Sequence, residues 1–255
     1  MTITNEEELE GMRAAGKLAA MILDEMLTYA EIGMTTGELD AFGANLMEEH
    51  GARSAPQVAV GFPGATCISL NEEVAHGIPG ERVLEDGDIL NIDVSLELDG
   101  FFSDNAATVI LGEDASPYMP LVDAAREARD NAIRLLRHGA PFNILGRVFE
   151  QSARRNKYKV IRNLCSHGIG RSLHEEPSEL LGFYDRFDRR KFHHGQVITV
   201  EPFMSTATNW VEEASDGWTL LNTPGGRSAQ FEHTVVILKG REPEILTLPP
   251  SARMD

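Results

Sequence analysis

Acidic residues stand inside or at the ends of apolar, strand-like segments of this 255-residue chain, and this placement restricts the fold more than any other feature. Acids are depleted from strands, and a carboxylate is rarely buried without a partner because it loses its hydration. Each acid can instead be a solvated strand end, and for a single residue that alternative stays open. For the whole set, the pattern predicts convergence on a shared cation by Asp93, Asp104, Glu201 and Glu232.

A tight hairpin predicts how the first two acids meet. The Asp99-Gly100 pair accepts the positive φ angles of a two-residue turn, which joins two antiparallel strands. In that register Asp93 lies opposite Ala106, and Asp104 is a diagonal neighbour of Asp93 on the same face. Two carboxylates this close repel each other unless a cation or a proton lies between them.

A histidine before a glycine-rich segment completes a candidate set of metal ligands. His167 follows a short apolar stretch and precedes Gly-Ile-Gly, where the backbone allows close approach. Four carboxylates and one imidazole suit divalent manganese, iron, cobalt or zinc better than a thiolate-type site does. Because carboxylates can bridge, two ions can share the set, as in two-metal hydrolases. The candidate ligands are Asp93, Asp104, His167, Glu201 and Glu232.

Helical and strand-like patterns are mixed along the chain, which favours an α+β fold with one domain over residues 1–255. A capping box at Thr4 and Glu7 predicts the start of the first helix, and Thr35 with Glu38 predicts the start of the second. Helices are expected from the Thr4 cap to residue 30 and over 36–50, 119–138 and 142–156. Strands are expected over 89–98, 101–111, 197–203 and 230–238.

Two short patterns recur in the same order. The tripeptide His-Gly-Ile occurs at 76–78 and again at 167–169, and an apolar strand ending in an acid occurs at 87–93 and again at 195–201. A duplicated half-domain explains both recurrences. Coincidence also explains them, so both alternatives stay open.

Composition excludes several classes of function. The net charge of −17 argues against binding to a phosphate backbone, so no specific nucleic-acid partner is expected. No apolar run reaches the length of a membrane span, and the first residues lack the basic start and apolar core of a signal peptide. Two cysteines, Cys67 and Cys165, make no disulfide framework. We therefore expect a cytoplasmic protein without a membrane partner, by default a monomer.

Six blocks of sequence, in the same order, resemble type I methionine aminopeptidases of the bacterial form. The similarity extends from the first helix to about residue 246. The blocks lie at 67–79, 87–94, 167–170, 174–177, 201–202 and 228–234. The resemblance implies the pita-bread fold, in which two αβ halves surround a curved antiparallel sheet. It also implies removal of the N-terminal methionine from peptides and nascent proteins, by attack of a metal-bound hydroxide.

The same resemblance implies a role for each candidate ligand around two divalent ions, which can be cobalt, manganese, iron or zinc. Asp93 would bind one ion through both oxygens, and Asp104 and Glu232 would bridge the two ions. His167 and Glu201 would complete the set, with Glu201 also moving a proton.

Two further histidines, His76 and His174, are implied to contact the substrate and the tetrahedral intermediate. Which of them assists the leaving amide nitrogen stays open. The side chain of the substrate's methionine would lie in an apolar slot lined by Ala59, Phe62, Cys67, Leu173 and Trp218.

The slot is also where the chain departs from the family. Tyrosine and histidine are usual at Ala59 and Val60, phenylalanine at Leu173, and glycine at Ser166. Smaller side chains widen or loosen a slot, so we expect weaker discrimination in favour of methionine, or lower affinity for it, than in a typical member.

Three other interpretations stay open. The chain can be a same-fold peptidase with another N-terminal specificity, such as an Xaa-Pro aminopeptidase, although those enzymes usually carry an extra N-terminal domain. It can be a non-catalytic binding protein that has kept the fold. It can also be an active enzyme that docks on ribosomes through a basic cluster formed by Arg186, Arg189, Arg190 and Lys191.

Overall fold

The computed structural model describes residues 1–112 and 116–249, and it contains the mixture of helices and antiparallel strands that the sequence predicts. The described residues form five helices: α1 (Glu6–Tyr29), α2 (Thr36–Glu49), α3 (Ala55–Val60), α4 (Met119–Leu135) and α5 (Ile144–Arg155). Residues 113–115 and 250–255, which the expected domain over 1–255 also includes, lie outside the described residues.

The described strands are mostly short. They are β1 (Arg53–Ser54), β2 (Cys67–Leu70), β3 (Glu73–Ala75), β4 (Ile89–Leu98), β5 (Phe101–Ile110), β6 (Lys159–Val160), β7 (Cys165–Gly168), β8 (Glu175–Leu181), β9 (Val197–Val200), β10 (Phe203–Ser205), β11 (Glu212–Glu213), β12 (Leu220–Leu221), β13 (Ser228–Gln230), β14 (His233–Val236) and β15 (Glu244–Ile245).

The two predicted capping boxes have different outcomes. The second is confirmed, because the Thr35 hydroxyl accepts from the backbone N–H of Glu38 and the Glu38 carboxylate accepts from the backbone N–H of Thr35. The first is wrong by one residue: the N-cap of α1 is Asn5, whose side chain accepts from the backbone N–H of Glu8. The Glu8 carboxylate accepts from the backbone N–H of Thr4 at 2.8 Å, so the reciprocal bond of the cap comes from Glu8 and not from Glu7.

Two predicted helices are shorter than expected. Helix α4 ends at Leu135 because Leu136 is extended and a turn through Gly139, with φ +85°, follows. Helix α5 begins at Ile144, two residues after the predicted start, because Asn143 turns its side chain to backbone carbonyls of a neighbouring loop.

The central hairpin has the predicted register. Strands β4 and β5 pair with Leu98 opposite Phe101 and with Asp93 opposite Ala106. Strands β1 and β2 pair with β4 as well, and β2 places Cys67 opposite Asp93. The first pair of acids is therefore fixed on a rigid antiparallel sheet.

The predicted strands over 197–203 and 230–238 are each divided in two. Strands β9 and β14 pair in one sheet, and their continuations β10 and β13 pair in another. The interruptions fall at Glu201-Pro202 and at Phe231-Glu232, which lie across from each other. Proline has no N–H to donate to a strand ladder, so pairing stops there. Both acids consequently lie where the chain passes between sheets.

Two apolar cores divide the molecule into two αβ halves. One core joins α1 and α2 to β2 and β4, and the other joins α4 and α5 to β9 and β14. The halves meet between β5 and β14, where the Thr234 hydroxyl donates to the Asp104 carbonyl at 2.8 Å and accepts from the Asp104 N–H at 3.0 Å. This arrangement favours a duplicated half-domain as the source of the recurring patterns.

Among the helices of the described residues, none is long and apolar enough to cross a membrane.

Candidate metal centre

The central hairpin brings two carboxylates to one face of the sheet. Asp104 pairs directly with Ser95, two residues along β4 from Asp93, so the two acids are the diagonal neighbours that the sequence predicts. One oxygen of each, Asp93 Oδ1 and Asp104 Oδ1, is sealed from solvent and has no hydrogen-bond partner among the described residues. Unpartnered buried carboxylate oxygens are costly unless they bind a cation.

Strand β7 adds an imidazole with a defined orientation. His167 Nδ1 lies 3.0 Å from the carbonyl oxygen of Gly168, and a nitrogen facing a carbonyl must carry the proton. The lone pair is then on Nε2, which lies 3.8 Å from Asp104 Oδ2 and 3.6 Å from Glu201 Oε1. A backbone carbonyl that fixes the tautomer in this way is typical of metal-binding histidines.

The two strand interruptions supply the remaining acids. The Thr199 hydroxyl donates to Glu201 Oε1 at 2.5 Å, and the backbone N–H of Glu201 donates to the Ser166 hydroxyl. On the facing chain, Gln230 donates to Glu232 Oε2 at 3.0 Å, which leaves Glu232 Oε1 buried without a partner among the described residues. Glu232 therefore has one oxygen held by the protein and one without a partner, whereas the Glu201 oxygen held by Thr199 is also the one that lies 3.6 Å from His167 Nε2.

Burial dominates the electrostatics of this cluster. It raises the pKa of Asp93 from its ordinary value to about 6. It also raises the pKa values of Asp104, Glu201 and Glu232, which the neighbouring carboxylates raise further. Burial lowers the pKa of His167 to about 3, so its imidazole is neutral and able to bind a metal. A divalent cation would reverse the penalty on the carboxylates.

The residues present fit a divalent cation. Ligand atoms of Asp104, His167 and Glu232 all lie within 4.8 Å of one another. The unpartnered oxygens of Asp93 and Glu232 point to a positive charge in the same centre. The donor set is rich in oxygen with a single nitrogen, which suits manganese, iron, cobalt or zinc.

The acid cluster opens into a cavity of about 290 Å³. Phe62 and Trp218 form one wall, with ring centroids 5.3 Å apart at 86°. All five candidate ligands line this cavity, together with six of the seven residues expected at the substrate: Phe62, Cys67, His76, Leu173, His174 and Trp218.

The seventh residue, Ala59, is an exception. It is exposed on α3 and does not line the cavity, whereas its neighbour Val60 does. Successive residues of a helix point about 100° apart, so only one of the two can face the cavity. The resemblance implies Ala59 as a residue of the slot and Val60 only as a departure from the family, whereas in the structure Val60, not Ala59, lines the cavity.

Other lining residues were missed, although two of them carried a signal. Cys165 is two positions before His167 on the same strand, and Phe203 is two positions after Glu201, so period-2 alternation places each beside a candidate ligand. Pro56, Asn163 and Leu164 come from loops or from α3, which the sequence did not predict.

The two further histidines lie at the accessible side of the cavity. The His174 ring lies 4.4 Å from the His167 ring, and His76 has the unusual φ of +54°. Both imidazoles are accessible to solvent, but the surrounding protein atoms still lower the pKa of each below its ordinary value. Both are therefore neutral and able to donate or accept hydrogen bonds near neutral pH.

The geometry agrees with the comparison to known proteins. The model of metallopeptidase family M24 matches residues 10–239, most of the chain. The chain belongs to metallopeptidase family M24. This metallopeptidase is 44% identical over 248 residues to methionine aminopeptidase 2 of Bacillus subtilis, covering 97% of this chain and 99% of the relative.

Solved structures show the same relationship. The methionine aminopeptidase of Rickettsia prowazekii superimposes with a TM-score of 0.92 at 35% identity, covering 97% of this chain and 100% of that one. The methionine aminopeptidase of Thermotoga maritima gives 0.92 at 31% identity, covering 97% and 99%. The expected pita-bread fold and the resemblance to type I bacterial methionine aminopeptidases are confirmed.

Proposed function

We propose that this metallopeptidase removes the N-terminal methionine from peptides and nascent proteins. The observation that carries the proposal is a cluster of buried acids, with unpartnered oxygens, at the end of an apolar cavity of about 290 Å³. A cavity of this size, closed on one side by carboxylates, admits the first residue of an extended chain. The names of its relatives indicate which residue that is.

Asp93, Asp104, His167, Glu201 and Glu232 would hold two divalent ions, whose identity their donor atoms leave open among manganese, iron, cobalt and zinc. Such ions lower the pKa of bound water and provide a nucleophile near neutral pH.

Within this proposal, Glu201 carries the proton that the attacking water loses. Its Oε1 is fixed by the Thr199 hydroxyl, so the carboxylate is held in one orientation. Burial raises its pKa and a cation lowers it, which brings the group into a range where it can accept and release a proton. The leaving amine is the natural acceptor of that proton.

His76 and His174 act on the substrate from the open side of the cavity. Each can donate a hydrogen bond to the carbonyl oxygen as negative charge develops, or to the leaving amide nitrogen. The ring centroids of His174 and His167 are 4.4 Å apart, which supports a role for His174 beside the reacting carbonyl.

Selection of methionine would depend on the apolar wall of the cavity. Phe62 and Trp218 present an aromatic edge and face, and a thioether packs favourably against aromatic rings. Cys67 and Leu173 complete the slot, and both are buried. An unbranched side chain fits such a slot better than a branched one.

In the cell, the enzyme would act in the cytoplasm on the N-termini of nascent polypeptides. It would be a monomer with a single catalytic domain over residues 1–255. Two unpaired cysteines, Cys67 and Cys165, are compatible with a reducing compartment. Ribosome docking would use the exposed basic cluster formed by Arg186, Arg189, Arg190 and Lys191.

The test is release of free methionine from a Met-Ala-Ser peptide by metal-stripped protein titrated with manganese or cobalt. We expect activity that rises with metal and disappears in Asp104→Asn, which keeps the volume of the side chain. Release in the absence of metal, or metal binding without release from any Met-led peptide, would contradict the proposal. The second result would favour an altered N-terminal specificity, or a non-catalytic binding protein.

A further inference from the structure

A second cavity, of about 520 Å³, adjoins the metal centre, and Glu232 lines both cavities. It is enclosed by α1, by α4, by the middle of β5, by the turn before β14 and by the segment around β15. Its volume is in the range of small-molecule sites.

Buried polar side chains line this cavity without being fully paired. Asn105 is 2% exposed and makes no side-chain hydrogen bond to a described residue, and its Oδ1 is sealed without a partner. An amide with both ends unbonded can turn either its N–H or its oxygen to a ligand. In a β-strand such a residue is costly unless something binds it.

His233 presents a second polar group with a defined orientation. The Thr247 hydroxyl accepts from the backbone N–H of Thr234, so its own hydrogen is free to be donated to His233 Nδ1, 2.9 Å away. The imidazole proton is then on Nε2, which makes no hydrogen bond to a described residue. Nε2–H can therefore donate to a ligand in the cavity.

Arg129 adds a buried cation beside the imidazole. Its side chain is 12% exposed, and its guanidinium lies 5.4 Å from the Phe231 ring. Its Nε and Nη2 groups face Asp130, and a guanidinium has more N–H groups than this single carboxylate can use. Arg129, His233 and Asn105 together offer donors suited to a carboxylate.

The remaining lining indicates what else the ligand carries. Asp24 lines the same cavity and makes no ion pair with a described residue, so it can bind an ammonium group. Leu23, Leu27 and Ile133 give apolar walls. Because both signs of charge occur beside apolar surface, the chemistry fits a zwitterion with an apolar side chain better than a simple anion.

We propose that this second cavity binds a small apolar α-amino acid, with its carboxylate on Arg129, His233 and Asn105 and its ammonium toward Asp24. The choice of methionine as the natural ligand rests on the proposed function, since methionine is the product of that reaction. The binding of an apolar α-amino acid does not rest on it. The consecutive residues Phe231, Glu232 and His233 connect the two cavities, and the Glu232 N–H donates to the Ala106 carbonyl at 2.8 Å. An occupant would therefore change metal affinity, and metal would change the affinity for the occupant equally.

The test measures binding of L-methionine to metal-stripped protein, so its failure is separate from any failure of the peptidase assay. Arg129→Gln should weaken binding about tenfold or more, because a charge-assisted hydrogen bond is lost. The matched control is Arg126→Gln on the same helix, where Arg126 is 51% exposed and outside the lining; binding should be unchanged. L-Methioninol, which lacks the carboxylate, should bind at least tenfold more weakly than L-methionine.

Hydrogen exchange locates the site independently of these variants. L-Methionine should slow exchange in residues 20–27 and 129–134, and Leu27→Trp, which narrows the cavity, should abolish that effect. The proposal is wrong if Arg129→Gln binds like the parent, if protection falls instead on residues 62–67 and 218, or if no binding is found. It is also wrong if binding requires removal of residues 250–255.

Discussion

Asp93 is a buried carboxylate that lowers the stability of the metal-free folded protein, and metal binding would remove this cost. Burial raises its pKa from its ordinary value to about 6. In the metal-free protein, Asp93 lowers the free energy of unfolding progressively as the pH rises from about 4 to about 6. Asp93 ionises near pH 4 in the unfolded chain but only near pH 6 in the folded chain. Above that window the whole cost is present.

Asp93→Asn should therefore stabilise the metal-stripped protein at pH 7.5, by about 2–3 kcal/mol, and have little effect at pH 4. Comparing the two proteins cancels the opposite pH dependence of buried histidines, because both contain them. With manganese added, the order should reverse, since the substitution removes a ligand. Denaturant unfolding with and without metal measures both differences, and a metal-free parent more stable than Asp93→Asn at pH 7.5 would contradict this account.

Leu173 tests the slot at the same scale. It lines the cavity directly before His174, at a position where the related family usually has phenylalanine. Leu173→Phe should narrow the slot and increase the preference for Met-led over Ala-led peptides, by about 3- to 10-fold in kcat/KM. Ala59→Tyr, by contrast, is on the exposed part of α3 and should change this ratio little. Equal effects of both substitutions would show that Ala59 does contact the substrate.

The start of α1 belongs to the scale of the element. Asn5 caps the helix, whereas the Thr4 and Glu7 pair expected from the sequence does not. Asn5→Ala should lower the free energy of unfolding by about 1 kcal/mol. Glu7→Ala should change it by less than about 0.5 kcal/mol, because Glu7 is exposed and does not cap the helix. Urea unfolding of the two variants decides between the caps; a larger loss in Glu7→Ala would favour Thr4.

Elements also show what sequence could and could not predict. The hairpin register was predictable because Asp-Gly turns have few alternatives, and it fixed two candidate ligands. The division of the two later strands was not predictable, because apolar residues continue through both interruptions and only Pro202 indicates where a strand ends. Helix α3 is six residues long and has no clear period, so Val60 could not be chosen over Ala59. The second cavity is lined by residues of both α1 and α4, which are far apart in sequence and which no local pattern brings together.

At the scale of the whole molecule, the metal centre joins the two halves. Asp93 and Asp104 belong to the hairpin, His167 belongs to β7 of the other half, and Glu201 and Glu232 lie at the strand interruptions of that half. At a free metal concentration of 100 times the dissociation constant, metal binding would stabilise the folded state by about 2.7 kcal/mol. Removing it should loosen the contact between the halves before either core.

Chelation should therefore speed hydrogen exchange most strongly in residues 91–95, 103–106, 199–202 and 230–234. The cores around α1 and around α5 should change little, because their apolar contacts do not involve the centre. Exchange followed by mass spectrometry, with and without chelator, gives the comparison. Uniform acceleration over the chain would mean that metal stabilises the fold as one unit and does not act between the halves.

The facing interruptions at Glu201-Pro202 and Phe231-Glu232 also restrict how such a chain can change length during evolution. Losing or gaining one residue in β9, β10, β13 or β14 would turn every later side chain to the opposite face. Glu201 or Glu232 would then point away from the metal centre, although the residue itself would still be present in the sequence. Insertions and deletions are more tolerable between β10 and β13, over residues 206–210 and 223–227, which lie outside β11, β12 and Trp218 and where no candidate ligand depends on the register. Lineages sharing this centre should accordingly vary in length there and keep the spacing from each acid to its paired strand.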